Sequence, residues 1–204
     1  MLNPNLAPLG QYTFARLNEI LADLVPRSNE PPILFSLGEP QKPTPPLLAE
    51  TIAAHDDLWN RYPSPTGDEA FRDAVVGWLH RRFDLPEGFV DSARNVVPVP
   101  GTREPLYQLG FLCTPPEKAG KRPAILMPNP FYHVYQGAAM LGGGEPVYLP
   151  ARAENNFLPV LEDIPEDLLA RTAVFFLCTP SNPQGSVASA EYMKRAIELA
   201  REHD

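Results

Sequence analysis

Cysteine is scarce in this chain of 204 residues: Cys113 and Cys178 are the two present, and no CxxC pair occurs. That excludes a disulfide framework and a thiolate zinc site. Both cysteines sit beside apolar segments, so buried free thiols in a reducing compartment are expected. The four histidines, His55, His80, His133 and His203, are scattered, and none pairs at metal-ligand spacing along a helix. No apolar run is long enough for a membrane-spanning helix. The start Met1-Leu2-Asn3-Pro4-Asn5 lacks the basic and apolar regions of a secretion signal, so cytoplasmic residence is expected. Positive charge is in deficit, with 17 Lys and Arg against 25 Asp and Glu and a net charge of −8. A phosphate backbone is a poor ligand for such a surface. Neither GxGxxG nor GxxxxGK[ST] is present. The triple glycine Gly142-Gly143-Gly144 follows a helical pattern, not a strand, and reads as a helix stop.

Proline is abundant: 26 of 204 residues, against an average of about 5%. The prolines fall mainly at segment ends and act as punctuation. Apolar residues make up 44% and charged residues 21%, the balance of a globular protein. The spacing of Phe14, Leu17, Ile20, Leu21 and Leu24 predicts a helix over 12–25. Its apolar face suits either a partner or the core. Ile33–Leu37 reads as a short strand ending at Gly38-Glu39-Pro40. Residues 45–55 read as a helix with proline in its first turn. Residues 68–83 read as a helix with Phe71, Val75, Trp78 and Leu79 on one stripe, its acidic start and basic end suiting the dipole.

From residue 95 the rhythm is strand then helix. Strands are expected at 95–99, 124–127, 145–149 and 173–177. Helices are expected from the Gly101-Thr102-Arg103-Glu104-Pro105 turn to Cys113, and at 130–141, 165–170 and 189–202. Such alternation implies a mostly parallel sheet with crossover helices, an α/β fold in three layers.

Three strand ends carry residues suited to a ligand, and ligands bind at the carboxyl ends of strands in open α/β sheets. Gly101-Thr102-Arg103 opens a helix, where exposed N–H groups and the dipole attract phosphate. Phe131-Tyr132 follows the next strand as an aromatic shelf, or simply fills the core. Cys178-Thr179-Pro180-Ser181-Asn182-Pro183-Gln184-Gly185 is a stiff turn presenting Asn182, whose amide either faces a ligand or caps its own backbone. Gly38 allows close backbone approach or ends a strand, and Tyr62 sits on the rigid loop 59–67.

Gly38-Glu39-Pro40, Tyr62-Pro63-Ser64-Pro65-Thr66-Gly67, Gly101-Thr102-Arg103-Glu104, Pro130-Phe131-Tyr132 and Ser181-Asn182-Pro183-Gln184-Gly185 together resemble the class I/II aminotransferases of pyridoxal 5'-phosphate (PLP) fold type I. They run in that family's order over nearly the whole chain. Tyr12–Leu17 and Pro100–Glu104 look most like the succinyldiaminopimelate aminotransferases of lysine biosynthesis. The resemblance implies an arm and small-domain segment over 1–45 and a partial PLP-binding large domain over 46–204. It implies that Gly101, Thr102 and Arg103 cradle the cofactor phosphate, that Tyr132 stacks on the pyridine ring, and that Asn182 bonds the ring's phenolic oxygen. Tyr62 would reach the partner's cofactor phosphate in a homodimer. Gly38 and Asn182 would lie near the substrate.

The family also needs a Schiff-base lysine and an acidic partner for the pyridine nitrogen, both downstream of the Asn-Pro turn. Lys42, Lys118, Lys121 and Lys194 do not stand in the family's lysine context. The chain therefore reads as the N-terminal portion of an aminotransferase, inactive alone and with apolar faces exposed. Another fold type I PLP enzyme, such as a lyase, or a non-catalytic module for PLP or phosphate would share the same cup.

Overall fold

In the computed structural model, residues 4–7, 9–25, 30, 33, 35 and 38–204 are described. They form two compact units, one joining the first 11 residues to Val99–Asp204, the other spanning Tyr12–Pro98.

The larger unit is built on a parallel sheet of β1 (Ala124–Asn129), β2 (Glu145–Pro150) and β3 (Thr172–Phe175), in the order β2-β1-β3. β1 is central. It pairs Ala124 with Glu145 and Leu126 with Val147 on one side, and Leu126 with Phe175 on the other. Ala124, Ile125, Leu126 and Met127 are at most 1% exposed, because a strand covered on both faces reads as a continuous apolar run. Alternate side chains of β1 enter different cores, as the two-residue period of a strand requires. Ala124 and Leu126 join Leu149, Leu161, Ile164, Leu169 and Leu199 on one face. Ile125 and Met127 join Tyr135, Ala139 and Phe176 on the other. This is the expected three-layer α/β/α arrangement.

The helices of this unit are α4 (Arg103–Leu112), α5 (His133–Leu141), α6 (Glu166–Leu169) and α7 (Ala190–Glu202). α5 stops at Gly142, as the triple glycine requires. α7 starts where Ser189 Oγ accepts the Tyr192 N–H at 3.1 Å, a side-chain N-cap. α4 lies against α5 at Gly110, where a Cβ would come within 2.3 Å of Ala138 Cβ. Arg171 staples the amino ends of the strands, bonding Glu145 Oε2 at 2.7 Å and the Arg122 carbonyl at 3.0 Å. The carboxyl ends are left for loops.

The smaller unit holds α1 (Thr13–Leu21), α2 (Pro46–Ala53) and α3 (Glu69–Phe83). α2 and α3 form where the apolar spacing and the proline at the start of α2 predict them, and α1 ends at Leu21, short of the expected Val25. Their apolar faces are open: none of the three contains a buried residue. On the α3 stripe, Phe71 and Trp78 are about half exposed while Val75 and Leu79 are half-buried.

Three expectations need correction. Residues 95–99 form no strand. Pro98 and the following Pro100 remove two ladder donors, and Val97 and Val99 are exposed. The helix after β1 begins at His133, not Pro130, because the backbone is still extended at Tyr132 (φ −77°, ψ 122°). The thiols are not buried: Cys113 is exposed and Cys178 is half-buried. The expected strand 33–37 falls largely outside the described residues.

Candidate functional site

β1 ends at Pro128-Asn129 and hands the chain to Phe131 and Tyr132 before α5 begins. The Tyr132 ring is met edge-on by His133 (4.8 Å between centroids, 73°) and by Tyr135 (5.7 Å, 89°). Tyr135 in turn lies flat on Phe176, just past β3, at 4.3 Å and 6°. This stack ties the ends of two neighbouring strands together beneath Tyr132. Tyr135 follows Tyr132 by three residues, the spacing that places two side chains on one side of a helical turn. That spacing was readable in the sequence, and the role of Tyr135 was missed there.

The turn after β3 is stiffened by its own hydroxyls. Ser181 Oγ accepts the Ser186 N–H at 3.0 Å, and Thr179 Oγ1 accepts the Ala188 N–H at 2.9 Å. The Ser181 and Gly185 backbones close the loop with bonds to Ser186 and Ser181 carbonyls at 2.8 and 2.7 Å. Ser181 and Thr179 therefore brace the turn, and among the described residues the Asn182 side chain makes no hydrogen bond. In this geometry Asn182 does not cap its own backbone.

Tyr132 and Asn182 line one cavity of about 150 Å³, with Tyr135, Cys178, Ser181 and Gln184 around it. Gln184, like Tyr135, was not singled out from the sequence.

The turn that opens α4 follows no strand, and it joins this pair through Arg103, whose Nε donates to Tyr132 Oη at 3.1 Å. Arg103 is the first residue of α4, and Thr102 caps the helix by backbone alone, its hydroxyl making no cap bond. The first N–H groups of a helix have no intrahelical partner. Gly101 adopts φ +93° with open space where a Cβ would stand. Its own N–H is already given to the Val99 carbonyl at 2.8 Å. Donors toward an anion must therefore come from Thr102 onward.

Burial lowers the His133 pKa, and the Arg103 guanidinium lowers it further. Burial raises the Tyr135 phenol, with Cys178 and Tyr132 adding to the effect. Both shifts favour the uncharged form of the ring.

The structure brings Arg103, Tyr132 and Asn182 together in one unit, with Gly101 and Thr102 leading into Arg103. Gly38 and Tyr62 lie in the smaller unit. Gly38 is exposed and has open space at its Cβ position. Tyr62 is fully exposed on a loop held by Arg72, which donates to the Thr66 and Gly67 carbonyls at 2.8 and 2.7 Å. Among the described residues no group of three or more His, Cys, Asp or Glu could hold a metal ion. No described helix is long and apolar enough to cross a membrane.

A helix-start turn, an aromatic shelf and, among the described residues, an asparagine free of hydrogen bonds meet at one edge of a three-layer α/β unit, the kind of place where open sheets bind small molecules. The family model for aminotransferase class I and II matches residues 30–204, and the chain belongs to that family. It is 36% identical to an LL-diaminopimelate aminotransferase of Desulforudis audaxviator, covering 98% of this chain and 48% of that protein. It is 32% identical to one from Dehalococcoides mccartyi, covering 100% and 50%. Among solved structures, an aminotransferase from Neisseria meningitidis superposes with a TM-score of 0.91 at 34% identity, over 99% of this chain and 50% of that one. The aminotransferase AspB from Helicobacter pylori gives 0.83 at 29%, over 96% and 49%. The chain spans about half the length of the relatives it matches.

Proposed function

We propose that this chain supplies the phosphate- and ring-binding part of a PLP-dependent aminotransferase that moves an amino group between an amino acid, with glutamate as donor, and a 2-oxo acid. The observation that carries this reading is the cavity shared by Tyr132 and Asn182, with Arg103 bonded to its rim. The donor set suits PLP. A cation and helix-start N–H groups meet a phosphate, an aromatic face meets a pyridine ring, and an amide with no partner among the described residues meets a phenolic oxygen.

Bound PLP supplies an electron-withdrawing ring that accepts and returns the amino group. The chain's own part is to hold it. Thr102 and Arg103 fix the phosphate, with Gly101 giving room for the approach. Tyr132 covers one ring face, and Asn182 orients the ring and stands near the substrate. Gly38 lies near the substrate carboxylate. In a homodimer Tyr62 extends to the partner's cofactor phosphate. Diaminopimelate is the substrate that the relatives' names suggest. The resemblance at Tyr12–Leu17 and Pro100–Glu104 points to its N-succinyl form, so both are to be assayed with the complete enzyme.

No lysine lines the cavity among the described residues. Lys118 Nζ bonds the Thr172 carbonyl at the amino end of β3 at 2.9 Å, Lys121 pairs with Asp167 at 3.6 Å, and Lys194 is exposed on α7. This chain alone is therefore proposed to hold PLP without turning it over.

The test is cofactor affinity in point variants. Asn182→Ala is expected to weaken PLP binding by about 0.5–1.5 kcal/mol through the lost hydrogen bond. Tyr132→Ala is expected to weaken it by at least about 0.5–1.5 kcal/mol through lost stacking. Circular dichroism should show both variants folded. Wild-type affinity in both would contradict the assigned roles.

A further inference from the structure

Arg103 opens α4, Tyr132 follows β1 29 positions later, and a hydrogen bond of 3.1 Å joins them. The edge contacts of His133 and Tyr135 fix the plane of the Tyr132 ring but grip its sides only. Nothing in those contacts fixes the phenol tip. The tip is held from α4, by the residue that follows Thr102.

We propose that the Arg103 side chain is a positioning residue that clamps Tyr132 by its hydroxyl, locking the aromatic shelf to the phosphate turn. The spacing between the anion-binding helix start and the ring-stacking face is then set by one side-chain bond. The inference rests on reading the cavity as a PLP site. It adds that the Arg103 side chain acts through Tyr132, where a plain phosphate ligand would act on the anion alone. The position of His133 supports it. Its ring touches Tyr132, and Arg103 stands near enough to lower its pKa beyond what burial does. The guanidinium thus bonds Tyr132 and lies within electrostatic reach of His133.

Two measurements on the complete 204-residue chain test the clamp. The first needs no ligand. His133 is titrated by NMR in wild type, Tyr132→Phe and Arg103→Gln, with His133→Asn giving the assignment. Tyr132→Phe keeps the ring and removes the acceptor. The clamp predicts that both variants move the His133 pKa upward toward its ordinary value, since both free or remove the nearby cation. A His133 titration unchanged by Tyr132→Phe would overturn it.

The second measurement is equilibrium binding of PLP and, separately, of inorganic phosphate. The clamp predicts that Tyr132→Phe and Arg103→Gln each weaken PLP binding about three- to tenfold. The double variant should be no weaker than the worse single one, as coupled residues behave. Additive losses, or a PLP loss confined to Arg103→Gln and matched by its loss of inorganic phosphate, would overturn the clamp in favour of a simple phosphate ligand. If wild type ignores PLP, the cofactor reading fails, and the His133 titration still decides whether the clamp exists.

Discussion

Burial, and then the Glu162 carboxylate, push the Tyr192 phenol from its ordinary 10.0 up to about 12. Its hydroxyl donates to the Pro159 carbonyl at 2.9 Å, pinning α7 to the segment between β2 and β3. A phenol whose pKa is raised on folding stabilises the fold below the unfolded value, and that contribution is lost as pH rises through the folded one. Stability is therefore expected to fall between about pH 10 and pH 12. Tyr192→Phe should remove that part of the decline while costing about 0.5–1.5 kcal/mol at neutral pH. Urea unfolding across the range measures both, and an unchanged alkaline slope in the variant would count against this assignment. The residues of the candidate site were legible in sequence to different degrees. Thr102, Tyr132 and Asn182 stood out because prolines and glycines mark each turn where they sit. Tyr135 and Gln184 did not, because lining a cavity depends on how α5 and the Asn182 turn face each other. His133 did not, because its setting depends on an arginine 30 positions earlier.

At the scale of elements, the contact between α4 and α5 turns on Gly110. An added methyl would meet Ala138 Cβ at 2.3 Å, against the packed side chain of another helix. Gly110→Ala gains helix propensity, but overpacking costs about 1–3 kcal/mol. The variant is expected to lose about 1–2 kcal/mol of stability net, and thermal unfolding would show it. A stabilised variant would mean that the two helices part freely. The alternation of strand and helix from β1 to α7 was readable because each strand is a short apolar run stopped by proline or glycine. The expected strand at 95–99 carries a similar apolar run. It fails because pairing depends on a neighbouring edge, which no local pattern reveals, and because Pro98 cannot donate to one. The boundaries of α1 and α5 shifted for a related reason: apolar spacing marks a helix face, while the termini are set by where the backbone turns extended, as at Tyr132.

The larger unit presents a cavity at the carboxyl ends of a short parallel sheet, with no lysine lining it among the described residues. Among large apolar side chains, Phe35, Trp59, Leu112 and Val187 are more than 60% exposed, the open apolar surface expected from the sequence. In the proposed reading Thr102 and Arg103 at the start of α4, with Tyr132 after β1 and Asn182 after β3, hold PLP without a covalent bond. The direct test is an equilibrium titration of the purified chain with PLP, followed by absorbance, with a nucleotide titrated in parallel. Saturable PLP binding with the absorbance of the free aldehyde, displaced by inorganic phosphate and matched by no nucleotide binding, is the predicted result. Saturable nucleotide binding with none for PLP would contradict it.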